Sequence, residues 1–177
     1  MTGFHIQMDK QLIAITGFMA AGKTTIGRAL ATKLNCEFVD LDESITAQQK
    51  RSISAMIKTD GEDRFRRLET TTLTKTLEAS ADLVLALGGG TWARPENRRL
   101  LSEHNARVVW LDAPFELCWQ RIPIGDNGRP LAPSREVAEK LYLARRPVYE
   151  LADLRLAVSE GQTAEECATE IATLLAK

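Results

Sequence analysis

The stretch Gly17-Phe18-Met19-Ala20-Ala21-Gly22-Lys23-Thr24 decides how this chain is read. Its spacing is G-x-x-x-x-G-K-[ST]. In that pattern glycines let backbone N–H groups curl around a phosphate, the lysine reaches the terminal phosphates, and the hydroxyl is offered to Mg²⁺. Before it, Leu12-Ile13-Ala14-Ile15-Thr16 is a short apolar run that reads as a buried strand. After it, Thr25–Leu34 puts Ile26, Leu30 and Leu34 on one helical face. Strand, glycine loop and helix in that order make Ala20, Ala21, Gly22, Lys23, Thr24 and Thr25 the candidate contacts to a nucleoside triphosphate.

Outward from the loop, short apolar runs alternate with longer helical patterns. Strands are expected at Leu12–Thr16, Glu37–Asp40, Leu83–Leu87, Val108–Leu111 and Leu154–Val158. Helices are expected at about 22–35, 52–79 with a break near Gly61, 95–104, 114–121, 134–150 and 163–176, the last opened by a Thr163/Glu166 capping box. That alternation argues for an α/β fold with a parallel sheet covered on both faces. The 177 residues fit one domain. The segment 122–134 carries three prolines and two glycines, cannot continue a helix, and reads as a closing lid.

A net charge of −1 gives no electrostatic case for a nucleic-acid or anionic-membrane partner, so functional cations must be local. No apolar run approaches the ~20 residues of a membrane span, and the N-terminal ten residues do not read as a signal peptide. Cys36, Cys118 and Cys167 form no C-x-x-C pair, as expected for reduced thiols in a cytoplasmic protein. His5 and His104 have no metal-ligand spacing, and the three tryptophans read as packing residues.

Chemistry-bearing residues gather at the ends of the expected strands, where open α/β sheets bind ligands. In Phe38-Val39-Asp40-Leu41-Asp42, strand alternation would turn Asp40 and Asp42 the same way. One could serve the Mg²⁺ shell and the other accept a proton from an attacking hydroxyl. Asp112, ending the run Val108–Leu111, is a competing metal carboxylate. Arg66 and Glu69 lie three apart on a helix. By itself that spacing favours a surface ion pair over a guanidinium fork presented to a substrate carboxylate. Gly88-Gly89-Gly90 strip side chains from a strand rim and let a ligand approach the backbone. Arg121 could lie over a base and Arg129 could swing over the triphosphate. Pro147 is expected to break the helix before it and so aim Arg145 into a cleft. Neither the guanine-reading N-K-x-D nor the D-x-x-G of GTPase switches is present, so a small kinase with a small, hydroxylated, anionic acceptor is the reading that remains.

From about Leu12 to the final helix, the ordered set of motifs resembles the shikimate kinase family: the phosphate loop, F-x-D-x-D at 38–42, G-E-x-x-F-R-x-x-E at 61–69, G-G-G at 88–90, R-P-L at 129–131, and R-x-P-x-Y at 145–149. The resemblance implies a three-layer α/β/α kinase fold with five parallel strands ordered 2-3-1-4-5 and a short lid. It implies ATP and Mg²⁺ as co-substrate and metal, shikimate as acceptor in aromatic amino-acid biosynthesis, and a cytoplasmic monomer. By the same token Asp42 is the base on the acceptor hydroxyl, with Lys23 and Arg129 on the phosphates. Arg66, Glu69, Gly88, Gly89, Gly90 and Arg145 form the acceptor site, Thr24 and Asp40 serve the metal, and Arg121 and Gln162 border the adenine. Asp112 is demoted. Ala20 stands where the family usually has glycine, which implies a negative φ there, and Ala132 replaces a common leucine. Alternative readings are a kinase for another hydroxy acid, such as gluconate, and a non-catalytic ATP-sensing module.

Overall fold

A computed structural model describes residues 11–79, 82–122 and 134–176. The strands are β1 (Leu12–Gly17), β2 (Glu37–Asp40), β3 (Leu83–Ala86), β4 (Arg107–Asp112) and β5 (Leu154–Ala157). The helices are α1 (Lys23–Leu34), α2 (Leu41–Gln49), α3 (Ile53–Asp60), α4 (Glu62–Ala79), α5 (Pro95–Glu103), α6 (Phe115–Gln120), α7 (Arg135–Tyr149) and α8 (Ala164–Leu175). The expected lid, with Arg129 and Ala132, lies outside the described residues except for its ends, Ile122 and Ser134.

The five strands run parallel in the order β2-β3-β1-β4-β5, as expected. Every residue of β1 and β3 is buried, so helices must cover both faces at the centre of the sheet. That is why these strands are continuous apolar runs rather than alternating ones. On the flank, α1 packs along α8 and against β1, β2 and β3. Gly27 permits this approach: a Cβ there would meet the Phe38 ring at 2.6 Å. The Thr163/Glu166 capping box opens α8, and Gly61 separates α3 from α4.

Three expectations fail. A helix not foreseen, α2, begins at Leu41, because the Asp40 carboxylate accepts from the Asp42 and Glu43 amides and caps it. Asp42 is therefore in the first turn of a helix, and strand parity does not relate it to Asp40. Pro147 does not break α7, which runs on to Tyr149. The carbonyl left without its usual helical donor is that of Leu143, on an exposed turn of the helix. Ala20 has φ 60 rather than a negative value. The loop path demands a left-handed residue there, and alanine adopts it at a cost of about 1–2 kcal/mol. No helix among the described residues is long and apolar enough to cross a membrane.

Candidate active site

The parallel sheet brings its C-terminal strand ends to one edge, and two groups of side chains meet there. The first is built on the loop between β1 and α1. Gly22 sits at φ 100 and turns the chain into α1, which aims the helix N-terminus into the loop. Lys23 Nζ lies across the loop, donating to the Gly17 and Phe18 carbonyls at 3.1 and 2.9 Å. Thr24 Oγ1 donates to Asp40 Oδ2 at 2.6 Å, while Asp40 Oδ1 holds the start of α2. Asp40 is thus a helix cap and the partner of the loop hydroxyl at once. Ala21 is fully buried, and its amide donates to the Phe18 carbonyl at 3.2 Å, so it shapes the loop from within.

A cavity of about 600 Å³ opens from this loop. Ala20, Gly22, Lys23, Thr24, Thr25, Asp40 and Asp42 line it near the loop, and Arg121, Gln162 and Cys167 also line it. Arg121 ends α6. Gln162 is held by its own turn, where its Oε1 accepts from Ser159 N at 3.2 Å. Every loop residue nominated from sequence except Ala21 lines this one cavity.

The second group surrounds the glycine rim after β3. Arg66 is not on the surface: its side chain is 9 % exposed and that of Glu69 1 %. Arg66 Nη1 donates to both Glu69 oxygens at 3.2 and 3.1 Å, and Arg66 Nη2 to Glu62 Oε1 at 3.0 Å. Burial alone would lower the Arg66 pKa, but the Glu69 and Glu62 carboxylates reverse this and raise it, keeping the guanidinium charged. The surface-pair expectation fails because α4 turns this face inward, toward the rim. Glu69 also accepts from Thr91 Oγ1 at 2.8 Å, and Asn97 Nδ2 donates to Thr91 O at 3.0 Å. Glu69 therefore braces Arg66 from beneath the rim. Thr91 and Asn97 escaped the sequence reading. Their one visible signal is a hydroxyl residue directly after three glycines.

The rim is bare because it is crowded by functional groups. A Cβ on Gly88 would lie 2.6 Å from Asp42 Oδ1 and 3.0 Å from Glu69 Oε1. One on Gly90 would lie 2.8 and 2.9 Å from the Arg66 amino groups and 3.1 Å from Arg145 Nη2. Both guanidiniums thus converge over Gly90, and two like charges aimed at one place favour an anion there. Arg145 also lies 3.4 Å, and the loop amide Met19 N 3.8 Å, from the corresponding point on Gly89. The rim therefore adjoins the phosphate loop, and Asp42 touches both groups: it lines the cavity and faces Gly88.

Asp112 stands apart. Its carboxylate takes Arg146 Nη1 at 2.7 Å and Arg155 Nη2 at 2.5 Å. Arg145 and Arg146, adjacent on α7, point to different partners because successive helical residues diverge by about 100°. The three cysteines are free thiols, and burial pushes Cys118 up to about 11. Among the described residues no group of three or more His, Cys, Asp or Glu could hold a metal ion by itself.

A family model described as shikimate kinase matches residues 19–176. The chain is 38% identical over 160 residues to the shikimate kinase of Persephonella marina, covering 90% of this chain and 95% of that protein. Its fold matches the solved shikimate kinase from Acinetobacter baumannii in complex with shikimate, with TM-score 0.86, 35% identity and 94% of each chain covered. The APS kinase of Mycobacterium tuberculosis, at TM-score 0.58 and 20% identity over 96% of this chain and all of that one (100%), shares the fold alone.

Proposed function

The chain belongs to the shikimate kinase family, and from that premise we propose that its cleft transfers the γ-phosphoryl group of ATP to the 3-hydroxyl of shikimate, a step of aromatic amino-acid biosynthesis. One observation carries the assignment to this cleft. A phosphate loop and a bare rim bracketed by two guanidiniums adjoin, and a carboxylate, Asp42, touches both. The shikimate carboxylate is assigned to Arg66 and Arg145, where a planar fork can take two oxygens at once. Gly88, Gly89 and Gly90 let the ring approach the backbone. Glu69 acts through Arg66.

The hydroxyl oxygen attacks the γ-phosphorus while its proton passes to the Asp42 carboxylate. The bond from that phosphorus to the β–γ bridging oxygen breaks, and ADP leaves. Lys23 offsets the charge that builds on the phosphate oxygens, and the amides of the cavity-lining loop residues Gly22 to Thr25 hold the remainder. Arg129, outside the described residues, is assigned to the same phosphates. Arg121 and Gln162 are assigned to the adenine, at the part of the cavity they line.

Thr24 and Asp40 suit Mg²⁺. They present hard oxygen donors side by side at 2.6 Å next to Lys23, and too few carboxylates gather there to hold the ion without phosphate oxygens and water. When bound, the ion would neutralise phosphate charge. The same reading takes the chain as one kinase domain, monomeric and cytoplasmic, with no nucleic-acid or membrane partner.

A coupled assay of ADP release with shikimate and gluconate in parallel tests the proposal. Turnover with shikimate well above the ATPase background is the expected result. Equal rates with and without shikimate would refute it.

A further inference from the structure

Tyr149 ends α7 one helical turn after Arg145, so the two side chains share a face. The residue is 1 % exposed, and its ring stacks on Trp110 at a centroid distance of 6.1 Å. Packing alone would be satisfied by phenylalanine, but the hydroxyl is in use. It donates to the Gly89 carbonyl at 2.8 Å. Burial pushes its pKa up to about 12, and the charge and hydrogen bonding of Arg145 pull the other way. The phenol therefore stays a neutral donor at working pH while its oxygen faces the guanidinium. A hydroxyl can donate and accept together, and Arg145 Nη1 stands beside the same glycine, 3.4 Å from the point where a Gly89 Cβ would lie.

The two guanidiniums over Gly90 are held differently. Arg66 is gripped by two carboxylates within its own helix. Arg145 comes from another element and stands beside a neutral phenol, with no carboxylate ion pair among the described residues. A second tie runs parallel to the first: Trp92 Nε1, two residues beyond the rim, donates to Val148 O at 2.8 Å. The end of α7 and the glycine rim are thus joined at a side chain and at a backbone carbonyl.

We propose that Tyr149 is a positioning residue for the acceptor: its hydroxyl joins the Gly89 carbonyl to Arg145 and so sets the distance between the glycine rim and the guanidinium that meets the acceptor carboxylate. The assignment rests on the function proposed above.

Tyr149→Phe keeps the ring and removes the bond to the Gly89 carbonyl together with the polar oxygen beside Arg145. With shikimate its KM for the acceptor rises about tenfold, the effect of losing a hydrogen bond tied to a charged group. The KM for ATP is unchanged. With shikimate methyl ester, whose carboxylate charge is gone, the Tyr149→Phe penalty shrinks to less than about twofold. Combining Tyr149→Phe with Arg145→Lys costs less than the product of the two single effects. An unchanged acceptor KM, an equal penalty on the ester, or matched losses for both substrates would overturn the positioning role. So would a Tyr149→Phe protein that fails to fold, since the hydroxyl would then serve the fold. Absence of shikimate turnover in the unsubstituted enzyme would instead overturn the proposed function, and the Tyr149 assignment with it.

Discussion

The phosphate loop and the acceptor rim share one cleft but are built in opposite ways. The loop is contiguous: Gly17–Thr24 supply backbone amides, a lysine and a hydroxyl from one turn, and its geometry follows from local chain path. The rim is assembled from α2, α4, the turn after β3, and α7, which donate Asp42, Arg66, the three glycines and Arg145. A contiguous site survives small shifts of its surroundings because its parts move together. A dispersed site depends on the register of every element that feeds it. Mutations in the rim should therefore damage the acceptor side and spare the nucleotide side.

The strongest test of this contrast is Asp42→Asn, at the point where the two regions meet. The rate should fall about 10²- to 10⁴-fold, the usual worth of a positioned base, with ATP affinity retained in a direct binding titration. Loss of ATP binding instead would merge the two regions into one unit. Next in size is Gly90→Ala. Its methyl group would press on side-chain tips and not on backbone, so the fold should hold while Arg145 yields and the braced Arg66 is displaced. The acceptor KM should rise about 10²-fold, as for a misplacement near 1 Å, with thermal unfolding little changed. Arg66→Lys keeps the charge beside Glu69 but loses the fork. About a tenfold loss in kcat/KM for the acceptor is expected, with ATP KM unaffected, read from initial rates at saturating ATP. The smallest effect belongs to the loop. Ala20→Gly removes the strain of φ 60 but loosens the unfolded chain. A net stabilisation of no more than about 1 kcal/mol is expected in denaturant melts, with kinetics preserved. A large change in ATP KM would mean that the Ala20 methyl group shapes the nucleotide site.

Asp40 and Asp42 were paired by strand parity, and the pairing failed because a carboxylate that could end a strand also caps a helix. Arg66 and Glu69 looked like a surface pair because i,i+3 spacing is silent about which helical face turns inward; burial of both is decided by α4 packing against the rim. Pro147 predicts a break, yet α7 continues to Tyr149, whose packed ring and hydroxyl tie the helix end to Trp110 and Gly89. The resemblance to a family supplied Asp42, Arg66 and Arg145 as a set, which spacing could not do.

Residues and spacing alone were enough for the strand–loop–helix unit, the alternating α/β order and a triphosphate site, since each rests on interactions a few positions apart. Whether the two arginines meet, which carboxylate faces the glycines, and how Tyr149 reaches the carbonyl of Gly89 sixty residues away were decided only in three dimensions. Those relations join residues far apart in the chain, and only packing of the helices against the sheet brings them within hydrogen-bond reach.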